Sequence, residues 1–231
     1  MLKDKLIIIT GGKGGLGLAM AKKLNENMAT VITTSRDICF NPNRITPNTI
    51  NQQYLDINDA SSVDQFFLWV SQQNQQLSIL INNAGVGIFK PFTEISLEEW
   101  NAIISTNLTG AFQCSKHACL LMNKSGGGRI INIGSVVELA GIANNAAYAA
   151  SKSGLRAMSF VISEEGRKTN ITSTHITLGA VYSDIWKDRP GFNKADMLNI
   201  KHLSDTIEYI AGLPYDVRID SLEITPATKI L

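Results

Sequence analysis

The amino-acid sequence predicts an α/β fold, a doubly wound parallel sheet of seven strands in a single domain. Three observations predict it. Short runs rich in β-branched residues recur along the chain, amphipathic stretches at helical spacing separate them, and the first run is followed by the glycine-rich loop Thr10-Gly-Gly-Lys-Gly-Gly-Leu-Gly17.

The strands are read at Leu6–Thr10, Thr30–Thr34, Ile50–Leu55, Ile79–Asn82, Arg129–Ile133, Thr172–Thr177 and Ser221–Thr225. Helical spacing appears at Leu16, Met20, Leu24 and Met28, and again after Asn58, Ser96 and Asn107. Asp59 opens the second helix with a capping side chain. Ser96 and Glu99 form the S-x-x-E capping box of the third. Residues 37–49, DICFNPNRITPNT, carry two prolines and four asparagines with no helical period, so a loop is expected where a doubly wound fold usually has a helix. Gly126, Gly127 and Gly128 read as a tight approach to the fifth strand.

The chain of 231 residues is 44% hydrophobic and 18% charged, without a low-complexity tract or linker, which fits one folded domain over residues 1–231. The formal net charge of +1 is spread along the chain and gives no footprint for nucleic acid. The apolar run Leu6–Ile9 is too short for a signal peptide or a membrane span, so a cytoplasmic protein without a membrane partner is expected. Cys39, Cys114 and Cys119 lack metal-ligand spacing and read as buried thiols. His117, His175 and His202 stand apart from acidic and thiol clusters and read as structural or surface residues, so no metal site is expected.

The glycine loop follows a strand and opens a helix, where backbone N–H groups and the helix dipole favour a pyrophosphate. Two registers fit: Gly12-x-Gly14-x-x-Gly17, the general dinucleotide fingerprint, and Thr10-Gly11-x-x-x-Gly15-x-Gly17. The P-loop pattern is absent, since Leu18 and Ala19 follow Gly17. The second strand runs out through Ser35, Arg36 and Asp37. Asp37 facing an adenosine ribose would accept from the 2′-hydroxyl and repel a 2′-phosphate, whereas Ser35 and Arg36 there favour the phosphate. Ser35 at the strand tip favours NADP(H) over NAD(H), with Lys13 as a second cation.

Tyr148 and Lys152 lie four apart, on one face of a helix. Bringing a phenol from a pKa of about 10 to about 7 requires roughly 4 kcal/mol, and an adjacent ammonium acts in that direction. Ser135 follows the strand RIINIG, at the carboxyl edge where ligands of open α/β sheets bind. A serine hydroxyl beside the phenol can hold a substrate oxygen for proton transfer while a hydride reaches the carbon.

With Thr10-Gly-x-x-x-Gly-x-Gly17, Asn82-Asn83-Ala84-Gly85, Asn107, Ser135, Tyr148 and Lys152 in order, the chain resembles the single-domain short-chain dehydrogenase/reductase family from about Lys5 to Thr225. The resemblance implies a Rossmann-like fold and selects the second register, leaving Gly12 and Gly14 at variable positions. It implies Tyr148 as general acid/base, Ser135 as the residue that polarises the carbonyl, Lys152 as tuner of the phenol and anchor of the nicotinamide ribose, and Asn107 as a proton-relay residue holding a water near Lys152. The implied cofactor site takes in Thr10, Gly11, Lys13, Gly15, Leu16, Gly17, Ser35, Arg36, Asp56, Ile57, Asn83, Ala84, Gly85, Tyr148, Lys152, Gly179, Val181 and Ser183. Gly14 replaces an arginine the family often uses on the phosphate, and Leu178-Gly179-Ala-Val181-Tyr-Ser183 departs from Pro-Gly-x-Val-x-Thr.

Residues 183–202 are the expected substrate lid, in which Trp186 and Phe192 either cover an apolar substrate or pack the lid itself. The tail from Leu203 resembles the reductase end of the family. The implied activity is hydride transfer between NADP(H) and a small carbonyl or secondary alcohol, running as ketone reduction, with a 3-oxoacyl carrier-protein reductase type activity left open. The alternative is a catalytically silent NADP(H)-binding regulatory protein. A nucleotide-sugar epimerase or dehydratase would use the same tyrosine and lysine but usually needs more chain after Ser183. A homo-oligomer, dimer or tetramer (homotetramer in the family pattern), is implied through helices Asn107–Met122 and Tyr148–Lys168, with Ala146, Ala150 and Gly154 allowing either intersubunit or intrachain approach.

Overall fold

A computed structural model describes residues 2–182 and 196–227. Its strands are β1 (Leu6–Ile9), β2 (Thr30–Ser35), β3 (Ile50–Tyr54), β4 (Leu77–Asn82), β5 (Gly128–Ile133), β6 (Ile171–Leu178) and β7 (Ser221–Ile224). All pair in parallel in one sheet of order β3-β2-β1-β4-β5-β6-β7. The helices are α1 (Gly15–Glu26), α2 (Ala60–Ser71), α3 (Leu97–Ile104), α4 (Ala111–Lys124), α5 (Ala146–Glu165) and α6 (Ile200–Gly212). A parallel sheet buried on both faces needs apolar side chains on both, and β1 supplies them alternately. Ile7 and Ile9 pack with Met20 and Leu24 of α1 and Leu203, Ile207 and Ile210 of α6, while Leu6 and Ile8 pack with Val63, Phe66 and Val70 of α2 and Ala118 and Met122 of α4.

Helix starts follow the expected capping chemistry. Asp59 accepts the Ser61 N–H at 2.9 Å, and Ser96 and Glu99 form a reciprocal capping box. The period extrapolated through Met28 overshoots α1: the helix ends at Glu26, and Met28 turns into a left-handed conformation, φ 61°, to lead the chain into β2. The segment 37–49 is a loop, pinned by the Gln53 amide, which accepts from the Asn41 N–H at 2.8 Å and donates to the Asn41 carbonyl at 2.6 Å.

One expectation changes and one open alternative is narrowed. Cys39 is exposed on this loop rather than buried, because the loop packs no second layer over it; Cys114 is buried and Cys119 partly so, and all three are free thiols. Gly154 accommodates its own chain, since a Cβ there would lie 2.7 Å from the Leu108 side chain, so its smallness is already used within the subunit. No helix among the described residues is long and apolar enough to cross a membrane. Phe66, 1% exposed and edge-on to Phe67, anchors α2 on the sheet. Phe66→Ala should lower unfolding free energy by about 3–5 kcal/mol, measured by denaturant titration.

Candidate active site

The strand order turns back between β1 and β4, so their carboxyl ends diverge and open the crevice in which open α/β sheets bind ligands. Thr10 ties the two edges together. Its N–H donates to Ile81 at 3.0 Å, and its hydroxyl accepts from the N–H groups of Asn83 and Ala84, both at 3.1 Å. Asn83 returns the contact, its amide donating to the carbonyls of Thr10 at 2.9 Å and Gly11 at 3.0 Å.

The loop adopts the register Gly11, Gly15, Gly17. Gly11 and Gly15 have φ of +66° and +52°, and a Cβ at Gly17 would lie 2.5 Å from the Gly11 carbonyl oxygen. Gly12, at a position the resemblance leaves variable, is crowded in this chain. A Cβ there would come within 2.6 Å of Thr33 on β2, a neighbour that sequence spacing does not reveal. Gly14 and Gly15 both open onto space, and of the two only Gly15 has a positive φ. Gly14 stands as N-cap of α1 without a side-chain bond, so the first N–H groups of that helix face the cleft with no internal acceptor of this kind.

Ser35, Arg36, Asp56 and Ile57 line the far end of the cleft. Lys13, expected as a second cation, lies outside the lining and pairs with Asp37 at 3.1 Å, both well exposed. Asp37 also donates its N–H to the Ser35 hydroxyl at 3.1 Å. Gly11, Gly15, Leu16, Gly17, Asn83, Ala84, Gly85, Gly179 and Val181 line the wall, whereas Thr10 and Asn107 lie behind it, 2% and 1% exposed. Ser183, with Trp186 and Phe192, lies outside the described residues.

At the other end Ser135, Tyr148 and Lys152 converge beyond β5. The Ser135 side chain lies beside the phenol and acts to lower it. Lys152 is 4% exposed, donates to the Ile133 carbonyl at 2.7 Å and has its Nζ 5.7 Å from the Tyr148 ring centre. Asn107 sits in a π-helical turn, Ser105–Gly110, that joins α3 to α4. Its amide donates to the Val86 carbonyl at 2.9 Å and the Ser151 hydroxyl at 3.0 Å, and its Oδ1 accepts the Val86 N–H at 2.8 Å. That side chain is therefore largely committed to holding the loop after β4, and its Oδ1 and the Lys152 Nζ both border the space beside Gly85.

The electrostatics differ from the simple expectation that Lys152 draws the phenol down. Burial pushes the Tyr148 phenol up; the Ser135 hydrogen bond acts the other way and the Glu138 charge adds to the rise. Burial also lowers Lys152 from 10.5 to about 8, with Glu138 partly restoring it. The buried ammonium is turned toward the Ile133 carbonyl, and the phenol's shift is set by burial, Ser135 and Glu138.

Several residues here carried no signal in the sequence. Phe89 packs edge-on to Tyr148 with ring centres 5.9 Å apart, and Val137, Ile142 and Asn144 complete the wall near the phenol. His175 does not stand apart as expected. Buried on β6, it meets Glu138 at 2.7 Å, a pairing of residues 37 positions apart that only the fold creates. His117 likewise pairs with Asp64, at 3.0 Å.

Comparison with known proteins bears on this arrangement directly, because the model of the short chain dehydrogenase family matches residues 5–193, through β1 and the glycine loop, Ser135, Tyr148 and Lys152. The chain belongs to the short-chain dehydrogenase family. Among relatives, it is 33% identical over 182 residues to 3-oxoacyl-[acyl-carrier-protein] reductase MabA of Mycobacterium avium, covering 79% of this chain and 69% of that protein. It is 31% identical over 232 residues to 3-oxoacyl-[acyl-carrier-protein] reductase FabG of Vibrio harveyi, covering 100% and 90%. The fold is similar to that of a gluconate 5-dehydrogenase from Burkholderia cenocepacia in complex with NADP and tartrate, with TM-score 0.86 at 20% identity over 97% and 95% of the two chains. It is also similar to that of an alcohol dehydrogenase from Thermococcus sibiricus complexed with 5-hydroxy-NADP, with TM-score 0.83 at 23% identity over 97% of each chain.

In this short-chain dehydrogenase the buried ammonium has a stability consequence. A lysine lowered in the folded state binds its proton more weakly there than in the unfolded chain, so folding is penalised below pH 8 and the penalty fades as pH rises toward 10.5. Lys152→Met should therefore stabilise the ligand-free protein at pH 7 by about 1–3 kcal/mol after loss of the Ile133 hydrogen bond. That gain should shrink between pH 8 and 10.5 in denaturant titrations at stepped pH.

Proposed function

We propose that this protein transfers a hydride between NADP(H) and a small carbonyl or secondary alcohol, working as a ketone reductase. The observation that carries the reading is the convergence of Ser135, Tyr148 and Lys152 at one end of a cleft whose other end is an uncapped helix start beside Ser35 and Arg36. When bound, the cofactor supplies the hydride. The residues fit it: the N–H groups at the start of α1, approached closely because Gly15 and Gly17 lack a Cβ, suit a pyrophosphate, and Ser35 and Arg36 suit a 2′-phosphate. Asp56 and Ile57 would flank the adenine, and Asn83 to Gly85 the adjoining ribose. Lys152 would donate to hydroxyls of the nicotinamide ribose, and Gly179 and Val181 would border its carboxamide, with Ser183 the sequence candidate to donate to it.

Ser135 then holds the substrate carbonyl oxygen by its hydroxyl, and Tyr148 delivers the proton to that oxygen as the carbon is reduced. Asn107 acts by fixing the loop around Gly85 next to Lys152. Phe89, Val137 and Ile142 give the substrate an apolar wall. A 3-oxoacyl substrate is consistent with relatives named as 3-oxoacyl-[acyl-carrier-protein] reductases. Residues 1–231 act as one domain with 183–202 as lid, in a cytoplasmic homo-oligomer, the tetramer being the form to test by sedimentation.

A panel of ketones, 3-oxoacyl thioesters among them, assayed for NADPH oxidation tests the reading. Turnover with none, despite tight NADPH binding, would leave a silent cofactor-binding protein instead. On an active substrate Tyr148→Phe should lower kcat by about 10²–10⁴-fold while the NADPH Kd stays within about twofold. Arg36→Ala should weaken NADPH but not NADH binding, by about tenfold for a lost charge-assisted contact. An unchanged ratio in titration calorimetry removes Arg36 from the phosphate site.

A further inference from the structure

Behind Ser135 lies a buried charged cluster that the proposed reaction does not use. Glu138 ends the short 3-10 turn Val136–Glu138, whose N-cap is Ser135. Its side chain and that of His175 are fully buried. The carboxylate accepts from His175 Nε2 at 2.7 Å, from the Thr177 hydroxyl, and from the Ser135 N–H at 3.3 Å. Room for this exists because residue 134 is glycine: a Cβ there would collide with the His175 ring and lie 2.8 Å from Glu138 Oε2. Three positions on two strand ends, Gly134, Glu138 and His175, are thus mutually dependent.

We infer that Glu138, clamped by His175 and Thr177, is a positioning residue that fixes the Ser135 backbone and holds one negative charge against the Tyr148–Lys152 pair, setting the pH range in which that pair works. This rests on the reading of Tyr148 as the proton donor. The hydrogen-bond pattern favours an anionic cluster. His175 Nδ1 has no partner, so the ring that leaves the fewest buried donors stranded is the neutral one carrying its proton on Nε2, directed at the carboxylate. Burial works to raise Glu138, but the hydrogen bonds from His175 and Thr177, the charge His175 carries when protonated and the Ser135 N–H together hold the carboxyl below its ordinary range.

The other neighbours are neutral or are the pair itself. Among the described residues Glu138 is the one charged side chain acting on both Tyr148 and Lys152, raising each. The π-helical turn presents Asn107, α5 presents Ser151, and β5 presents the Ile133 carbonyl. Removing the charge should therefore move both groups in the same direction, downward.

The test is Glu138→Gln on the full-length protein with a ketone from the panel. The amide oxygen can keep the His175 and Thr177 bonds, while the amide nitrogen cannot accept the Ser135 N–H, so the charge and that one bond are lost together; a displaced Ser135 would move the phenol up, and a downward move therefore still reports the charge. The alkaline limb of the kcat/KM profile for reduction, which reports loss of the phenol proton, should move down by at least about half a pH unit. His175→Gln retains an N–H donor and the carboxylate, and its limb should stay with that of the wild type. A Glu138→Gln limb coincident with the wild type overturns the inference, because a merely structural role lowers stability without moving the limb. Should Glu138→Gln fail to fold, ¹⁵N NMR of the histidine rings in the wild type decides. A neutral Nε2–H ring at His175 across the assay range supports the anionic cluster, and an imidazolium overturns it. Absence of any ketone turnover in the wild type would instead count against the functional reading, and the NMR result would still stand alone.

Discussion

A lysine ammonium with 4% of its surface exposed is the constraint around which the carboxyl end of this sheet is organised. Burying that charge costs free energy unless donors and acceptors are arranged for it, and among the described residues its acceptor is the Ile133 carbonyl at the end of β5. Every element near it yields to that placement. The helix from Leu97 to Lys124 widens into a π turn at Asn107, the loop after β4 passes beside Lys152 at Gly85, and α5 crosses that turn closely enough that Gly154 meets Leu108. Such an arrangement is disfavoured by stability alone, which is the usual mark of a site retained for chemistry.

The sheet edge that carries this charge is held rigid by neutral polar groups. Asn82 on β4 donates to Ser115 on α4 at 2.9 Å and to Asn132 on β5 at 2.8 Å. Asn132 donates to Ser173 on β6 at 3.2 Å, and Ser173 bonds Ser159 on α5 at 2.8 Å. This buried chain links both helices that flank the site through three strands, and a one-residue slip of any strand would strand polar groups in the core. Together with the Thr10–Asn83 contact it fixes the distance between the glycine loop and the reacting end. Those two ends must accept opposite parts of one extended ligand.

Local chemistry was legible in the sequence, and tertiary juxtaposition was not. The strands from Leu6 to Ser221 and the caps at Asp59 and Ser96 depend on neighbours within a few residues, so period and spacing reveal them. The family motifs placed Ser135, Tyr148 and Lys152 together because their spacing encodes one helix packed on one strand end. The crowding at Gly12 was not visible because it comes from Thr33 on another strand, and Cys39 was misread because nothing in the local sequence states whether a loop is covered. His175 and Glu138 look unremarkable one at a time. Their pairing arises only once β6 lies beside β5, with His175 opposite Asn132 and Ile176 opposite Ile133.

The charges around Tyr148 also bear on the direction of the chemistry. A carboxylate behind the phenol opposes phenolate, and burial acts in the same sense, so the ligand-free site strongly favours the protonated form. An enzyme that must first take a proton would begin from a scarce state, whereas one that gives a proton to a developing alkoxide begins from the abundant one. The same carboxylate raises Lys152 against the lowering by burial, keeping more of the ammonium available to a ribose hydroxyl. In the proposed reaction one buried charge would thus assist cofactor anchoring and proton donation together, and Gly134 leaves room for His175 to hold it in place.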